Sequence, residues 1–417
     1  MRDDLPEQLI TAFQSADTPS TNLRPEICAK IVGLLSNPET YKQVLSRRNL
    51  SAQHLLDFLQ DLLDDPSSFS AKPPLVRVLL RLSRVSGRHP RCLTVADLKK
   101  EGMQVAAGNF SDLWKGSFRG KDVSIKVMRL FETSDIQVLL QEFSREALIW
   151  RQLSHPNLLP FYGLYFLDRR LCLISPWMQN GNVLAYLNNK PAHINPLSLI
   201  LDVALGLEYL HKNNVVHGDL KAINILVTPS HRACIADFGL SSITNPMTLR
   251  FTHTTVERGQ GGTPRYQAPE LFQDDTRHHF GSDVYAFACV CYEARKIPFH
   301  EISNDMNVML KVRDGKRPSR PFSWAGTPSV LDELWQLLQD CWNGTSELRP
   351  KANEIVERLI SPPLQARTSQ DTSDWDDAST SKARRALQPP PPAMTLAQLD
   401  MLISGEWCYG PCNECER

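Results

Sequence analysis

The stretch that most constrains this chain runs from Val215 to Leu226, Val-Val-His217-Gly218-Asp219-Leu-Lys221-Ala-Ile-Asn224-Ile-Leu226. Apolar residues lead into a polar cluster, and an apolar run follows it. The runs must be buried, and the buried backbone between them needs hydrogen-bond partners, so the cluster reads as a loop held rigidly over a core. Its side chains carry usable chemistry. Asp219 is able to take a proton, Lys221 to hold a phosphate and Asn224 to bind a metal ion. Taken alone, the loop is equally an ordinary turn, because Asp and Asn commonly make turns. The rest of the chain has to decide.

Composition enters as a set of exclusions. A chain of 417 residues has room for about two to three domains. Lys+Arg and Asp+Glu both number 46, so no global charge draws the protein to nucleic acid or to an anionic membrane. The longest apolar run, Tyr285 to Tyr292, is far too short to span a bilayer, and Met-Arg-Asp-Asp-Leu-Pro at the N-terminus lacks the apolar stretch of a signal peptide. No nucleic-acid partner and no transmembrane segment are expected. Cys172, Cys234, Cys289, Cys291 and Cys341 lie in apolar contexts, as buried reduced thiols do. An intracellular, cytoplasmic location follows as an expectation, with nuclear access left open.

Residues 1–97 read as helical. Asn37-Pro38-Glu39 has the form of an N-cap followed by a first-turn proline and acid. Ser51 is placed to cap a helix bearing Leu55, Leu56, Phe58, Leu59, Leu62 and Leu63, which Asp64-Asp65-Pro66 ends. Another helix is expected after Pro73-Pro74, with Leu75, Val78, Leu79 and Leu82 on its apolar side. Arg77, Arg81, Arg84, Arg88 and Arg91 form a stripe that is either a docking surface or a solvated face. The plain reading is a small bundle packed on the next domain.

Near Leu98 the pattern changes to strands and turns. Val105 to Gly116 reads as a strand, a tight turn at Gly108 and a second strand that includes Leu113. After Gly120-Lys-Asp122, Val123, Ile125 and Val127 alternate with Ser124 and Lys126, so the lysine faces away from the apolar side. A helix is expected from about Ser134 to Leu153, with Leu139, Phe143, Ala147, Trp150 and Leu153 as its stripe. Glu146 lies off that stripe. Unless it pairs with Lys126, it is an ordinary surface glutamate. Strands are expected over Leu158–Phe166 and Leu171–Ser175, and a helix over Pro196–Lys212. Ala233 to Ala236 leads into Asp237-Phe238-Gly239. Mg²⁺ prefers hard oxygen ligands, and Asp237 and Asn224 can supply two from separate loops. The tail, residues 362–417, carries Ser/Thr, Asp-Trp-Asp-Asp and Pro389 to Pro392 and is expected to be mostly disordered. Thr395 to Ile403 has the form of a short capped helix able to dock on the chain or on a partner. Cys408, Cys412 and Cys415 have loose metal-ligand spacing without a fourth ligand.

Lys126 in Val-Ser-Ile-Lys, Glu146, Asp219, Lys221, Asn224, Asp237-Phe-Gly, Ala268-Pro-Glu270, Asp283 and Arg349 follow one another in the order of the eukaryotic protein kinases, and residues 98–361 resemble that family. The resemblance implies an α+β, two-lobed protein kinase fold, with a β-rich N-lobe and a helical C-lobe. It would be preceded by the small helical region and followed by the tail. It also implies transfer of the ATP γ-phosphoryl group to Ser or Thr hydroxyls of protein substrates. In that scheme Asp219 orients the hydroxyl and accepts its proton, Lys221 balances charge, and Lys126, held by Glu146, positions the phosphates. Asn224 and Asp237 hold Mg²⁺. Val105, Gly108, Leu113, Ser124, Lys126, Leu226 and the hinge residues Ser175, Pro176 and Met178 would surround ATP. Arg349 would pair with Glu270, and Asp283 would anchor the loop backbone.

Lys221, two residues after Asp219, is the serine/threonine form. His155-Pro-Asn, Gly262-Thr-Pro-Arg-Tyr and Cys341-Trp with Arg349-Pro resemble the tyrosine-kinase-like group. The Val-His-Gly-Asp-Leu-Lys variant resembles such kinases of mushroom-forming fungi. Three departures keep a second reading open. Ala106 and Ser111 stand where the family's phosphate loop has glycine, Ser124 puts a hydroxyl where a methyl faces adenine, and Gly218 replaces the usual arginine. That second reading is a pseudokinase scaffold that binds nucleotide or partners without catalysis.

Overall fold

The computed structural model describes residues 23–64, 72–96, 98–107, 111–129, 136–167, 170–189, 195–239, 241–243, 263–273, 276–293, 297–320, 328–368 and 374–375. Gly108, the threonines at 244–255, the 395–403 segment and the three C-terminal cysteines lie outside them.

The alternation read at Val123–Val127 forms a central strand. It belongs to an antiparallel sheet of β1 (Leu98–Ala107), β2 (Ser111–Phe118), β3 (Lys121–Met128), β4 (Gly163–Leu167) and β5 (Arg170–Pro176), in the order β1-β2-β3-β5-β4. Val123, Ile125 and Val127 are fully buried and share a small core with Val95, Leu98, Phe118, Cys172 and Ile174. Successive residues of a strand point to opposite faces, so Ser124 and Lys126 share the other face. Leu113 and Leu173 lie opposite Lys126, and Ser175 lies opposite Ser124, which puts all of them on that face. Pro176 closes β5, where its missing N–H costs little.

The strand expected from Leu158 starts later, at Gly163. Leu158 instead makes an isolated bridge to Ile235, and Leu159 N–H donates to the Ile235 carbonyl at 2.8 Å. This segment is therefore committed to the lower lobe before the chain rises into the sheet.

Helix α5 (Ile136–Arg151) follows β3 and buries Phe143, Ala147, Leu148 and Trp150. The helices before it are α1 (Leu23–Ser36), α2 (Pro38–Ser46), α3 (Asn49–Leu63) and α4 (Lys72–Ser86). Asn37 caps α2, its Oδ1 accepting from Glu39 and Thr40 N–H. Ser51 is not a cap. The Ala52 N–H already closes a turn on the Arg48 carbonyl at 3.2 Å, so Ser51 sits inside the first turn. Pro73 and Pro74 fall inside the first turn of α4, where a backbone N–H has no helical partner to lose. Part of the arginine stripe is internal: Arg81 donates to Tyr41 Oη at 3.2 Å and lies over its ring.

The lower lobe is built on α7 (Pro196–Lys212) and α8 (Phe280–Glu293), with α10 (Pro328–Cys341) and α11 (Ala352–Ile360) around them; α6 (Val183–Asn188) and α9 (Asp305–Arg313) complete the described helices. Pro196 starts α7 after Asn195, whose Oδ1 accepts from Leu197 N–H. No helix of the described residues is long and apolar enough to cross a membrane.

On α7, Gly206 lets the helix approach the segment that leads to the sheet. A Cβ there would lie 2.8 Å from the Asn157 carbonyl oxygen and 3.1 Å from Ile235 Cδ1. Gly206→Ala gains about 1 kcal/mol of helix propensity but meets immobile backbone, an overpacking cost of about 1–3 kcal/mol. The expected result is a lower unfolding midpoint by calorimetry; an unchanged or raised midpoint contradicts this packing.

Parts of the tail that the sequence reads as mostly disordered are packed. Leu364 and Ala366 are buried, and Ala366 N–H donates to the Leu359 carbonyl at 2.8 Å. Half-buried Trp375 donates from Nε1 to the His155 and Leu158 carbonyls at 3.2 and 3.1 Å. Asp374 accepts from the hydroxyl of Ser230. One large aromatic in an acidic tract is the signal for this docking.

Candidate active site

The opening loop is placed by short elements on both sides. Strand β6 (Val215–Val216) pairs with β9 (Ser242–Ile243), and β7 (Ile225–Val227) pairs with β8 (Ala233–Ile235). In the second hairpin Ile225 lies opposite Ile235, and Ala236 N–H donates to the Asn224 carbonyl at 2.8 Å. The register therefore brings Asn224, just before one strand, alongside Asp237, just after the other.

Asp283 holds the loop backbone. Its carboxylate accepts from His217 N–H at 2.8 Å, Gly218 N–H at 2.9 Å and His211 Nε2 at 3.1 Å. Burial opposes ionisation of Asp283, but the hydrogen bond and charge of His211 outweigh it and hold the carboxyl below its ordinary value. Gly218 has φ +82°, a left-handed conformation that glycine adopts without strain. Buried His217 packs edge-on against Phe238 at 5.5 Å and places Nε2 3.2 Å from the Ala236 carbonyl.

Within the loop, Lys221 Nζ donates to Asp219 Oδ2 at 2.6 Å and to Thr263 Oγ1 at 3.2 Å. Asn224 Nδ2 donates to the Asp219 carbonyl at 2.9 Å. Above it, Lys126 Nζ donates to both Glu146 Oε1 and Asp237 Oδ1, each at 2.8 Å. Burial alone would lower the lysine, but the two carboxylates outweigh it and hold the ammonium protonated. Lys126 in turn pulls the Asp237 carboxyl down to about 2, while burial pushes Glu146 up against the pull of the same lysine. Asp237 takes up φ +68°.

Of the residues read as surrounding ATP, Leu113, Ser124, Lys126 and Ser175 share one sheet face, and Ser175 is buried. Met178 is buried too, and its carbonyl accepts from Gly181 N–H at 3.1 Å. Gly181 then accepts from Val227 N–H at 2.9 Å, and Asn182 bridges to Leu226. The hinge segment is thereby tied to the strand that follows the loop. Val105 is half exposed near the end of β1, and Gly108 lies outside the described residues.

Outside the loop, Arg349 forks onto Glu270 at 2.6 and 2.7 Å. Other contacts escaped sequence reasoning. Arg145 on α5 donates to the Ser241 carbonyl at 2.6 Å. Glu293 accepts from the Tyr266 hydroxyl and from Ala222 N–H, joining the loop to the 264–266 turn. Asp202 pairs with Arg232 at 2.8 Å inside α7's apolar run. An acid set among apolar residues of a helix is the sequence signal for each of the last two.

Residues 100–359 match the sequence profile described as protein tyrosine and serine/threonine kinase. The serine/threonine-protein kinase STY46 of Arabidopsis thaliana is 30% identical over 266 residues, 62% of this chain and 43% of the relative. The probable serine/threonine-protein kinase drkB of Dictyostelium discoideum is 30% identical over 269 residues, 63% of this chain and 36% of the relative. A probable LIM domain-containing serine/threonine-protein kinase of the same organism is 33% identical over 282 residues, 63% of this chain and 40% of the relative. The chain thus spans less than half the length of these curated relatives. With a profile that covers most of the chain and a two-lobed fold to match, it belongs to the protein tyrosine and serine/threonine kinase family.

Proposed function

We propose that this chain is an active, ATP-dependent protein serine/threonine kinase acting in intracellular signalling. The observation that carries the reading is the joint engagement of Lys126 by Glu146 and Asp237, at 2.8 Å each. A scaffold that only met protein partners would have no need to hold a phosphate-binding lysine between two carboxylates, and Asp219 with Lys221 beside it adds the groups that transfer requires and nucleotide binding alone does not.

Asp219 is the proposed base. Lys221 occupies its Oδ2, which leaves Oδ1 for the hydroxyl of a protein Ser or Thr. As the hydroxyl oxygen of the substrate bonds to the γ-phosphorus, the bond from that phosphorus to the β–γ bridging oxygen breaks, ADP leaves, and the hydroxyl proton passes to Asp219. Lys221 offsets charge on the moving phosphoryl group, and Lys126 positions the phosphates of ATP. Leu113, Ser124, Ser175, Pro176, Met178, Leu226, Val105 and Gly108 are the proposed surroundings of the nucleotide. The donor set of Asn224 and Asp237 fits Mg²⁺. Asp237 is held anionic, and the Asn224 amide nitrogen is committed to the Asp219 carbonyl, which leaves its oxygen as the hard ligand atom. When bound, the metal supplies neutralisation of phosphate charge. Buried thiols such as Cys234 and Cys341 support a reduced, cytoplasmic setting. The N-terminal helices and the tail are proposed docking elements for partners.

The test is transfer of radiolabelled phosphate from ATP by the purified full chain to a protein substrate, with Asp219→Asn as control. Nucleotide binding without transfer by the unaltered chain would favour the scaffold reading instead.

Gly218 bears on control. It has no side chain to clamp a phosphate on the activation loop, the segment from Asp237-Phe238-Gly239 to Ala268-Pro269-Glu270 that carries Thr244, Thr248, Thr252, Thr254 and Thr255, so activity is expected to survive phosphatase treatment of the purified protein. Loss of activity on dephosphorylation, restored by rephosphorylating the activation loop, would show that this reading of Gly218 is wrong.

A further inference from the structure

Glu146 is only as well placed as the helix that carries it. The C-terminal end of that helix, α5, is gripped by the N-terminal helices. Arg151, in the last turn of α5 and buried, donates to Asp64 Oδ2 at 2.5 Å. Asp64 is the C-cap of α3, and its other oxygen accepts from Gln60 Nε2 at 2.9 Å. Gln60, fully buried, in turn accepts from Gln152 Nε2 at 2.9 Å. Helix α4 packs along α5, and the buried residues of α3, α4 and α5 belong to one continuous core.

Glu146 and Arg151 are five positions apart on one helix, roughly 7.5 Å along its axis at 1.5 Å per residue. The two cannot move independently. Swinging Glu146 away from Lys126 by rotating or sliding α5 would strip Arg151 of its carboxylate in a buried setting. Breaking an ion pair in a buried setting costs more than breaking an exposed one. Arg145, beside Glu146, is bonded to the Ser241 carbonyl at 2.6 Å, so the same helix reaches the start of the segment after Asp237-Phe238-Gly239.

We infer that Asp64 and Gln60 are positioning residues for phosphoryl transfer. Through Arg151 and Gln152 they fix the rotation and register of α5 that pair Glu146 with Lys126. The N-terminal helices are then a working part of the kinase rather than a separate module beside it. The inference rests on the kinase reading given above.

The test uses the full chain with Asp64→Ala, Asp64→Asn and Gln152→Ala. It measures kcat and KM for ATP, together with amide hydrogen exchange over residues 136–151. Asp64→Ala is expected to lower kcat about ten-fold, within the usual range of coupling between linked sites, with a smaller change in KM. Exchange in α5 should rise, and Asp64→Arg combined with Arg151→Asp should recover part of the lost kcat. Asp64→Asn keeps the shape and removes the charge, and it carries the same comparison if Asp64→Ala does not fold. A merely structural role would lower the unfolding midpoint while leaving the kcat of the folded protein unchanged, and that result overturns the inference. So does a fall in kcat with no change of exchange in α5. If the unaltered chain transfers no phosphate, the kinase reading fails. The exchange comparison then decides separately whether Asp64 holds the helix.

Discussion

Asp219→Asn is expected to abolish nearly all phosphoryl transfer while ATP still binds. The substitution is almost isosteric, and the Asp219 backbone stays fixed, because Asn224 Nδ2 holds its carbonyl at 2.9 Å. An asparagine oxygen can still accept from Lys221, which now lies 2.6 Å from Asp219 Oδ2, so the lysine is not expelled. What the amide cannot do is accept a proton. Losing a positioned base costs about 10²–10⁴ in rate. Nucleotide affinity should change little, because the proposed contacts to ATP are made by Lys126, Asp237 and the hinge, none of which leans on the Asp219 carboxylate. Initial rates with labelled ATP and a nucleotide-binding titration on the same preparation separate the two quantities. Transfer at the unaltered rate would remove Asp219 from the role of base. Loss of binding in step with transfer would point to collapse of the loop instead.

The legible parts of this molecule are those whose physics is local. The alternation of Val123, Ile125 and Val127 forces Ser124 and Lys126 onto the opposite sheet face, and no distant residue is needed to see it. Asp219 and Asn224 are joined by a loop so short that their neighbourhood follows from the chain itself. The Asn37 cap is local in the same way. Other features needed a partner that periodicity cannot name. The apolar faces of α3 and α4 say that something covers them, but nothing in them points to α5. Glu293 and Asp202 look misplaced in apolar helices until Tyr266 and Arg232 arrive from other parts of the chain. The late start of β4 depends on Ile235 capturing Leu158 and Leu159, a contact between segments more than seventy positions apart. Ser51 reads as a cap because serine is a strong N-cap type, yet the helix starts after Arg48 with no side-chain cap, and only the hydrogen bond from Ala52 N–H to the Arg48 carbonyl shows where the turn closes.

The second large effect is on stability, at Arg349. Its side chain is fully buried, and its donors are distributed without waste. Two nitrogens fork onto Glu270 at 2.6 and 2.7 Å, Nη1 also reaches the Gly281 carbonyl at 2.9 Å, and Nε reaches the Asn343 carbonyl at 2.8 Å. The guanidinium also lies over the Tyr285 ring at 5.3 Å. Arg349→Ala leaves a largely buried carboxylate that keeps His279 but loses its permanent countercharge, and two backbone carbonyls without this donor. Breaking a buried pair from one side costs about 3–5 kcal/mol, a large share of the roughly 5–15 kcal/mol that holds a domain folded. Arg349→Lys should recover little, because a single ammonium cannot span the fork and both carbonyls.

The pH dependence separates this ion pair from simple loss of packing. Burial alone would raise the Glu270 carboxyl, but hydrogen bonds from His279 and Arg349 and the arginine's charge bring it from an ordinary 4.5 down to about 2. A carboxyl depressed in the folded state binds protons more readily when unfolded. Its contribution is therefore fully present above about 4.5 and is lost as pH falls through about 2. The gap in unfolding free energy between the unaltered chain and Arg349→Ala should be widest near neutrality and narrow steadily below the ordinary carboxyl range. Denaturant unfolding of both proteins across that interval measures it. A gap that stays constant with pH would mean that Arg349 acts through volume alone, and the fork to Glu270 would then contribute nothing to holding the lower lobe together.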